Sequence, residues 1–260
     1  MIGPNYPVAM NQIMHVAVRQ RLLEISAQLA QICNWVVQSG PFRGMRLPSA
    51  ATSWGDGDLA PKLLGCYEAE LHEAIEHAIA RKPDVVVNVG CAEGYYAVGL
   101  ARRLPDARVY AFDIDPAAQA LCAAAGADNG VADRLVVEGE CTGARLAELA
   151  AAGGRVFILM DCEGAELQLL DAKTVAALAG CDVIVECHDF VDRSITPALT
   201  ALLGEDHDLG ELREGPRDPA QFPVLRTLGS LERWICVCEF RPEVMNWITS
   251  WSRRATAMAA

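Results

Sequence analysis

The chain has 260 residues, 52% of them apolar and 22% charged. That composition describes a folded domain with a sizeable core and excludes a disordered chain. Lys and Arg total 22 against 34 Asp and Glu, a formal charge of −12. Such a balance excludes a broad nucleic-acid or anionic-membrane surface, because phosphate would be repelled. Ten cysteines are scattered through apolar runs without CxxC pairs, which reads as buried reduced thiols rather than a disulfide framework or zinc ribbon. No basic-led apolar leader and no run near 18 apolar residues is present, so the expectation is a cytoplasmic protein without a membrane span.

In chain order, apolar residues recur at helical spacing from about Asn11 to Gln38 and predict a long amphipathic helix stopped by Gly40-Pro41. Its stripe suits packing on its own domain or on a twin subunit. Glycines and prolines crowd residues 40–61, an irregular connection, and a second helix is expected from about Pro61 to Ala80. Residues 1–80 therefore read as a helical extension or lid, and residues 81–260 as the main domain.

Beyond residue 83, β-branched runs alternate with alanine- and leucine-rich helical stretches. The runs are Asp84–Val89, Arg108–Asp113, Arg134–Glu138, Val156–Asp161 and Asp182–Cys187, with helices beginning near Gly94, Pro116, Thr142, Glu163 and Ser194. This pattern predicts a doubly wound α/β domain with a mostly parallel, Rossmann-like sheet. After the Gly/Pro-rich stretch Gly204–Pro223, the segment Leu231–Phe240 is expected to be a last, antiparallel strand.

In such a sheet the ligand sits beyond the carboxyl ends of the strands, near the switch point of strand order. The first run leads into Gly90-Cys91-Ala92-Glu93-Gly94-Tyr95-Tyr96, a G-x-x-x-G loop that lacks the third glycine of the dinucleotide fingerprint. The second ends at Asp113, about twenty residues after the loop, where a carboxylate can accept from both hydroxyls of a ribose. Asp115 before Pro116 fits a helix N-cap. Glu140, after the third run, has two readings: an acceptor for an exocyclic amine, or a solvated loop carboxylate.

Taken together these strand ends resemble the class I S-adenosylmethionine-dependent methyltransferases, and within them the FkbM-type family. The carriers are Val89–Tyr96, Ala111-Phe112-Asp113-Ile114-Asp115-Pro116, Asp161-Cys162-Glu163-Gly164-Ala165-Glu166 and, more weakly, Glu186-Cys187-His188-Asp189; the resemblance spans roughly residues 44–250. It implies S-adenosylmethionine as cofactor, held by Gly90, Ala92, Glu93, Gly94 and Tyr95 around the methionine, Asp113 at the ribose, and Glu140 with Cys141 at the adenine, with Ile114 also among the cofactor-binding residues. Asn88 stands where many members carry an acid, and Glu93 or Asp161 could take over the amino group.

Methyl transfer from a sulfonium needs an aligned nucleophile and, for a hydroxyl, a proton acceptor. The strand-end candidates are Asp161, Glu163, Glu166, Glu186, His188 and Asp189, with His188 and Asp161 the catalytic pair. His188 is either a general base or a hydrogen-bonded structural residue. Asp161, Glu186 and His188 also form a candidate site for a divalent metal. Glu163 and Glu166 suit a helix start, where negative charge is favoured.

The expected function is O-methylation of a small molecule such as a sugar or secondary metabolite, with a homodimer through the N-terminal helix as the expected assembly. An NAD(P)-dependent oxidoreductase on the same sheet, and a non-catalytic adenosyl-binding scaffold, are the alternatives.

Overall fold

The computed structural model describes residues 8–49 and 57–254, with side chains from residue 13 onward. Its centre is a seven-stranded sheet in the order β3-β2-β1-β4-β5-β7-β6. The strands are β1 Val85–Val89, β2 Arg108–Phe112, β3 Leu135–Glu138, β4 Val156–Met160, β5 Asp182–Cys187, β6 His207–Arg213 and β7 Asn246–Ser252. The first five pair in parallel, and β7 inserts antiparallel to both β5 and β6. This is the doubly wound Rossmann-like sheet expected from the alternation of runs.

Burial explains which strands were legible. β4 and β5 are buried at every position, as strands covered on both faces must be; β4 reads as an unbroken apolar run, and β5 as the apolar Val183–Val185 flanked by the buried carboxylates Asp182 and Glu186. β6, with the sequence His-Asp-Leu-Gly-Glu-Leu-Arg, lies at the sheet edge, where charged side chains block pairing with other chains. It falls inside the stretch expected to be irregular.

The segment Leu231–Phe240 is not a strand. Ser230–Ile235 forms a helix, α10, started by the Glu232 carboxylate accepting from the Gly229 amide (3.0 Å), and the last strand is β7. Ile235, Cys236 and Val237 are buried in the same apolar cluster as the N-terminal helix rather than paired in the sheet.

The helices that cover the sheet begin close to the expected positions: α4 Tyr95–Arg103, α5 Pro116–Asp128, α6 Gly143–Ala151, α7 Glu166–Leu169 and α9 Ile195–Leu203, with the short α8 Ala172–Ala177 between the last two. Asp115 caps α5 by accepting from the Ala117 amide (2.9 Å), with Pro116 opening the helix. Thr142 caps α6 in the same way through Arg145.

At the N-terminus α1, Val8–Ile32, stops short of Gln38, because Asn34 and Trp35 adopt left-handed conformations and the Trp35 amide donates back to the Ala30 carbonyl. Its Leu22, Ile25, Leu29 and Ala30 belong to one buried cluster with β1 and α4, while Ile13, Met14 and Val16 on its first turns are exposed. The expected second helix divides into α2 Leu59–Leu64 and α3 His72–Ala80. Gly65 makes the break: it has φ +78°, and a Cβ there would lie 2.1 Å from the Ser39 carbonyl oxygen.

One buried ion pair ties α2 to the loop after β1. The Lys62 ammonium, almost completely enclosed, contacts Glu93 at 2.7 Å and also Asp58, and sits 4.7 Å from the centre of the Tyr67 ring. Charges this deep cost much desolvation and are tolerated only when paired. Lys62→Met leaves the Glu93 carboxylate enclosed without its cation and is expected to cost about 3–5 kcal/mol of unfolding free energy. Urea denaturation measures it; a change below about 1 kcal/mol would mean the pair contributes nothing net.

Candidate active site

Strand register brings the motif residues to one edge. Val89 of β1 lies opposite Phe112 of β2 and Met160 of β4, so the next residues, Gly90, Asp113 and Asp161, emerge side by side. Phe112 lies opposite Glu138, and Met160 opposite Val185, which brings Gly139 and Glu186 to the same level. The strand order reverses between β1 and β4, and connections leaving a sheet to opposite sides open a crevice at that point.

A cavity of about 460 Å³ occupies the crevice. Among the residues expected to hold a cofactor, Gly90, Asp113, Ile114, Glu140 and Cys141 line it, together with Asp161 and the apolar Val89, Phe112 and Leu169. The size suits a small-molecule ligand, for which about 300–1,000 Å³ is usual. Ile114 is 81% exposed beside Asp113, an apolar surface facing an open cleft.

Asp113 organises this wall. Its Oδ2 accepts from the Ala92 amide (2.8 Å) and its Oδ1 from the Asp115 amide (2.9 Å). One carboxylate therefore joins the loop after β1 to the start of α5, and each oxygen retains a lone pair for a ligand. Gly90 has φ +76°, and a Cβ there would lie 1.6 Å from the Asp161 carbonyl oxygen, so the glycine lets β1 and β4 meet closely where the chains diverge.

Four of the expected cofactor residues are not on this cavity wall. Glu93 is buried against Lys62. Tyr95 is buried in an edge-to-face cluster with Phe42, Tyr67 and Tyr96 at centroid distances of 5.3, 5.5 and 5.4 Å. Ala92 and Gly94 shape the loop backbone, both at positive φ. Asn88, the departure from the family pattern, is enclosed in the sheet, its amide donating weakly to the Leu159 carbonyl (3.4 Å).

A second group of ionisable residues adjoins the cavity at the ends of β4 and β5. His188 is buried, with Nδ1 2.6 Å from Glu166 Oε1 and Nε2 3.5 Å from Asp161 Oδ1 and 3.3 Å from Glu163 Oε2. Glu186 is also buried and accepts from the Arg241 guanidinium, which further contacts Glu68 (2.7 Å) and Glu239 (3.0 Å). Tyr96 donates to Glu68. Asp189, the remaining candidate, accepts from the Thr196 amide and hydroxyl at 3.0 and 2.7 Å, a capping role at the start of α9.

Burial, and the nearby charge of Glu68, push the Asp161 carboxyl up to about 7 against the opposing pull of His188. Burial lifts Glu186 well above the usual carboxylate range, and the charge of Asp161 adds to it. For His188 burial works against the charged form, but hydrogen bonds to Glu163 and Glu166 and the fields of Asp161 and Glu186 prevail and raise it to about 10. The ring is thus cationic at neutral pH in this arrangement.

Asp161, Glu186 and His188 each bring a donor atom within 4.8 Å of the other two. Asp161 Oδ1 is buried without a hydrogen-bond partner. The donor set therefore fits a divalent ion by ligand type and spacing. Glu68 and Arg241 escaped the sequence reading, since they lie in irregular segments far apart in the chain and only the fold brings them to Glu186.

No protein-family model matches the chain, and no curated protein matches it. Among solved structures it is similar to the O-methyltransferase TomG from Streptomyces achromogenes, involved in tomaymycin synthesis and determined in complex with SAM, at 15% identity, 89% of this chain, 90% of that one and a TM-score of 0.46. It is likewise similar to cofactor-bound Rv0187 from MTB, at 16% identity, 89% of each chain and a TM-score of 0.49. An O-methyltransferase from Bacillus cereus, in complex with SAH, is similar at 12% identity, 88% of this chain, 90% of that one and a TM-score of 0.45. Among the described residues no helix is long and apolar enough to cross a membrane.

Proposed function

We propose that the chain is an S-adenosylmethionine-dependent methyltransferase, FkbM-like in its acidic Asp161–Glu166 element, that methylates a hydroxyl of a small molecule such as a sugar or secondary metabolite. The observation that carries this reading is the crevice at the strand switch point, where Asp113 stands one strand over from the Gly90–Gly94 loop. Asp113 offers two oxygens to a ribose diol, Ile114 and Cys141 offer apolar surface to an adenine, and Glu140 can accept from its exocyclic amine. The wide G-x-x-x-G spacing, without a third glycine, disfavours a dinucleotide.

Bound S-adenosylmethionine supplies an electrophilic methyl group with a good leaving group. The chain's part is alignment and proton removal. Asp161 borders the cavity, and a carboxyl titrating near 7 is well matched to accepting a proton at neutral pH. His188 lies directly behind it, its positive charge available to stabilise the ionised Asp161. A second reading rests on Asp161 Oδ1, which is buried without a hydrogen bond and faces His188 Nε2 at 3.5 Å: a divalent ion held by Asp161, Glu186 and His188 would lower the pKa of an acceptor hydroxyl.

Calorimetric titration with S-adenosylhomocysteine and with NAD tests the cofactor, and metal analysis of the purified protein tests the second reading. Saturable binding of the homocysteine nucleoside with no response to NAD is the expected result. Binding of NAD in place of the nucleoside would overturn the proposal in favour of the oxidoreductase reading, and binding of neither would overturn it outright.

A further inference from the structure

The stretch Asp161-Cys162-Glu163-Gly164-Ala165-Glu166 directs three carboxylates at a single ring, His188, that comes from the neighbouring strand end. Glu166 Oε1 stands 2.6 Å from Nδ1, while Glu163 Oε2 and Asp161 Oδ1 stand 3.3 and 3.5 Å from Nε2. We infer that this acidic element is a clamp for His188, and that Glu166 is its positioning residue. By committing Nδ1 to a buried carboxylate, it makes Nε2 the nitrogen that faces Asp161. The part of this inference that concerns an acceptor rests on the methyl-transfer reading; the clamp rests on the side chains alone.

Glu166 is placed for this task. It is completely buried, and the oxygen that meets the ring also accepts from the Gly164 amide (3.1 Å), which holds the carboxylate in place. As the first residue of a four-residue helix it gains little from a helix dipole, so the helix-start reading does not account for its enclosure. The chain doubles back between the two glutamates through left-handed conformations at Glu163 (φ +54°) and Gly164 (φ +101°). That turn lets residues three apart reach opposite nitrogens of one imidazole.

The loop after β5 closes the clamp from the other side. A Cβ on Gly164 would lie 2.9 Å from Val191 Cγ1, so the turn and the loop are in contact. Phe190 packs edge-on against the His188 ring at 5.7 Å. An imidazole left without a partner at Nδ1 can rotate by half a turn and present a different edge. A charge-assisted hydrogen bond to an enclosed carboxylate opposes that rotation and fixes which nitrogen faces Asp161. If a metal occupies Nε2, the same bond orients the ligand from behind, as partners of metal-bound histidines do.

Glu166→Gln, nearly isosteric, tests the inference in the full chain. Nitrogen-15 NMR of the wild-type protein is expected to show a protonated Nδ1 on His188 with a strongly deshielded proton, and in Glu166→Gln that resonance moves upfield. S-adenosylhomocysteine affinity stays within about twofold of wild type, because Glu166 does not line the cavity. On an acceptor that wild type methylates, kcat falls at least about tenfold while KM for S-adenosylmethionine is unchanged.

The clamp is overturned if the wild-type resonance is absent, if Glu166→Gln leaves it in place, or if kcat is unaffected. A parallel loss of nucleoside affinity and kcat would reveal a merely structural residue and overturn it as well. Should Glu166→Gln fail to fold, Glu166→Asp retains the charge but withdraws it by one methylene, and is judged by the same readouts. Failure of the wild-type chain to bind S-adenosylhomocysteine would remove the methyl-transfer reading, while the His188 resonance in the ligand-free protein would still decide the clamp.

Discussion

Asp113→Ala is expected to weaken S-adenosylhomocysteine binding by about 1.5–3 kcal/mol, roughly 10- to 150-fold, the usual cost of deleting a charged hydrogen-bond acceptor. Two effects contribute. The ligand loses the acceptors for its ribose hydroxyls, and the protein loses the link between the Ala92 and Asp115 amides that holds the loop after β1 against the start of α5. Asp113→Asn separates them: it keeps one acceptor oxygen but turns an amide donor toward a backbone N–H. Calorimetry reads the affinity and thermal melting reads the loop. An unaltered dissociation constant in Asp113→Ala would refute the ribose assignment whatever happened to stability.

Gly90→Ala is expected to damage both the fold and the site. Its φ of +76° costs a residue with a Cβ roughly 1–2 kcal/mol, and the Cβ would stand 1.6 Å from the Asp161 carbonyl oxygen and 2.8 Å from its carbon. Neither neighbour is a flexible side-chain tip. Both belong to the backbone at the end of β4, so the two central strands must separate, and overpacking of that kind adds about 1–3 kcal/mol. A total destabilisation of about 2–5 kcal/mol is expected, together with loss of nucleoside binding, since the loop and Asp161 move together. Gly130→Ala is the control, with φ +68° but nothing within 4 Å of its Cβ. It should show only the conformational cost. Equal denaturation midpoints for the two variants would show that the contact with β4 has no energetic weight.

Both substitutions act where the sequence is most informative, and the reason is local. Val85–Val89, Val156–Met160 and Asp182–Cys187 are covered on both faces, so their apolar runs mark them without knowledge of their partners. Parallel strands must then place the residues after each run at one edge, which groups Gly90, Asp113 and Asp161 by sequence alone. The same logic fails at β6, an edge strand whose charged residues resemble a loop. It fails again at Leu231–Phe240, where an apolar, β-branched run packs as a helix and turn against α1 instead of joining the sheet.

What the chain's residues determined alone was the doubly wound sheet and the cluster of glycine and carboxylates at its strand ends, because hydrophobic periodicity and turn chemistry act over a few residues. Only the tertiary structure decided how those side chains are used. It turned Glu93 away to Lys62, placed Tyr95 among aromatic rings, brought Arg241 and Glu68 to Glu186 from distant loops, and aimed Glu163 and Glu166 at the two nitrogens of His188. Each of these contacts joins segments whose spacing in sequence carries no periodic signal, and the buried ion pairs among them compensate charge that the packed fold has removed from water.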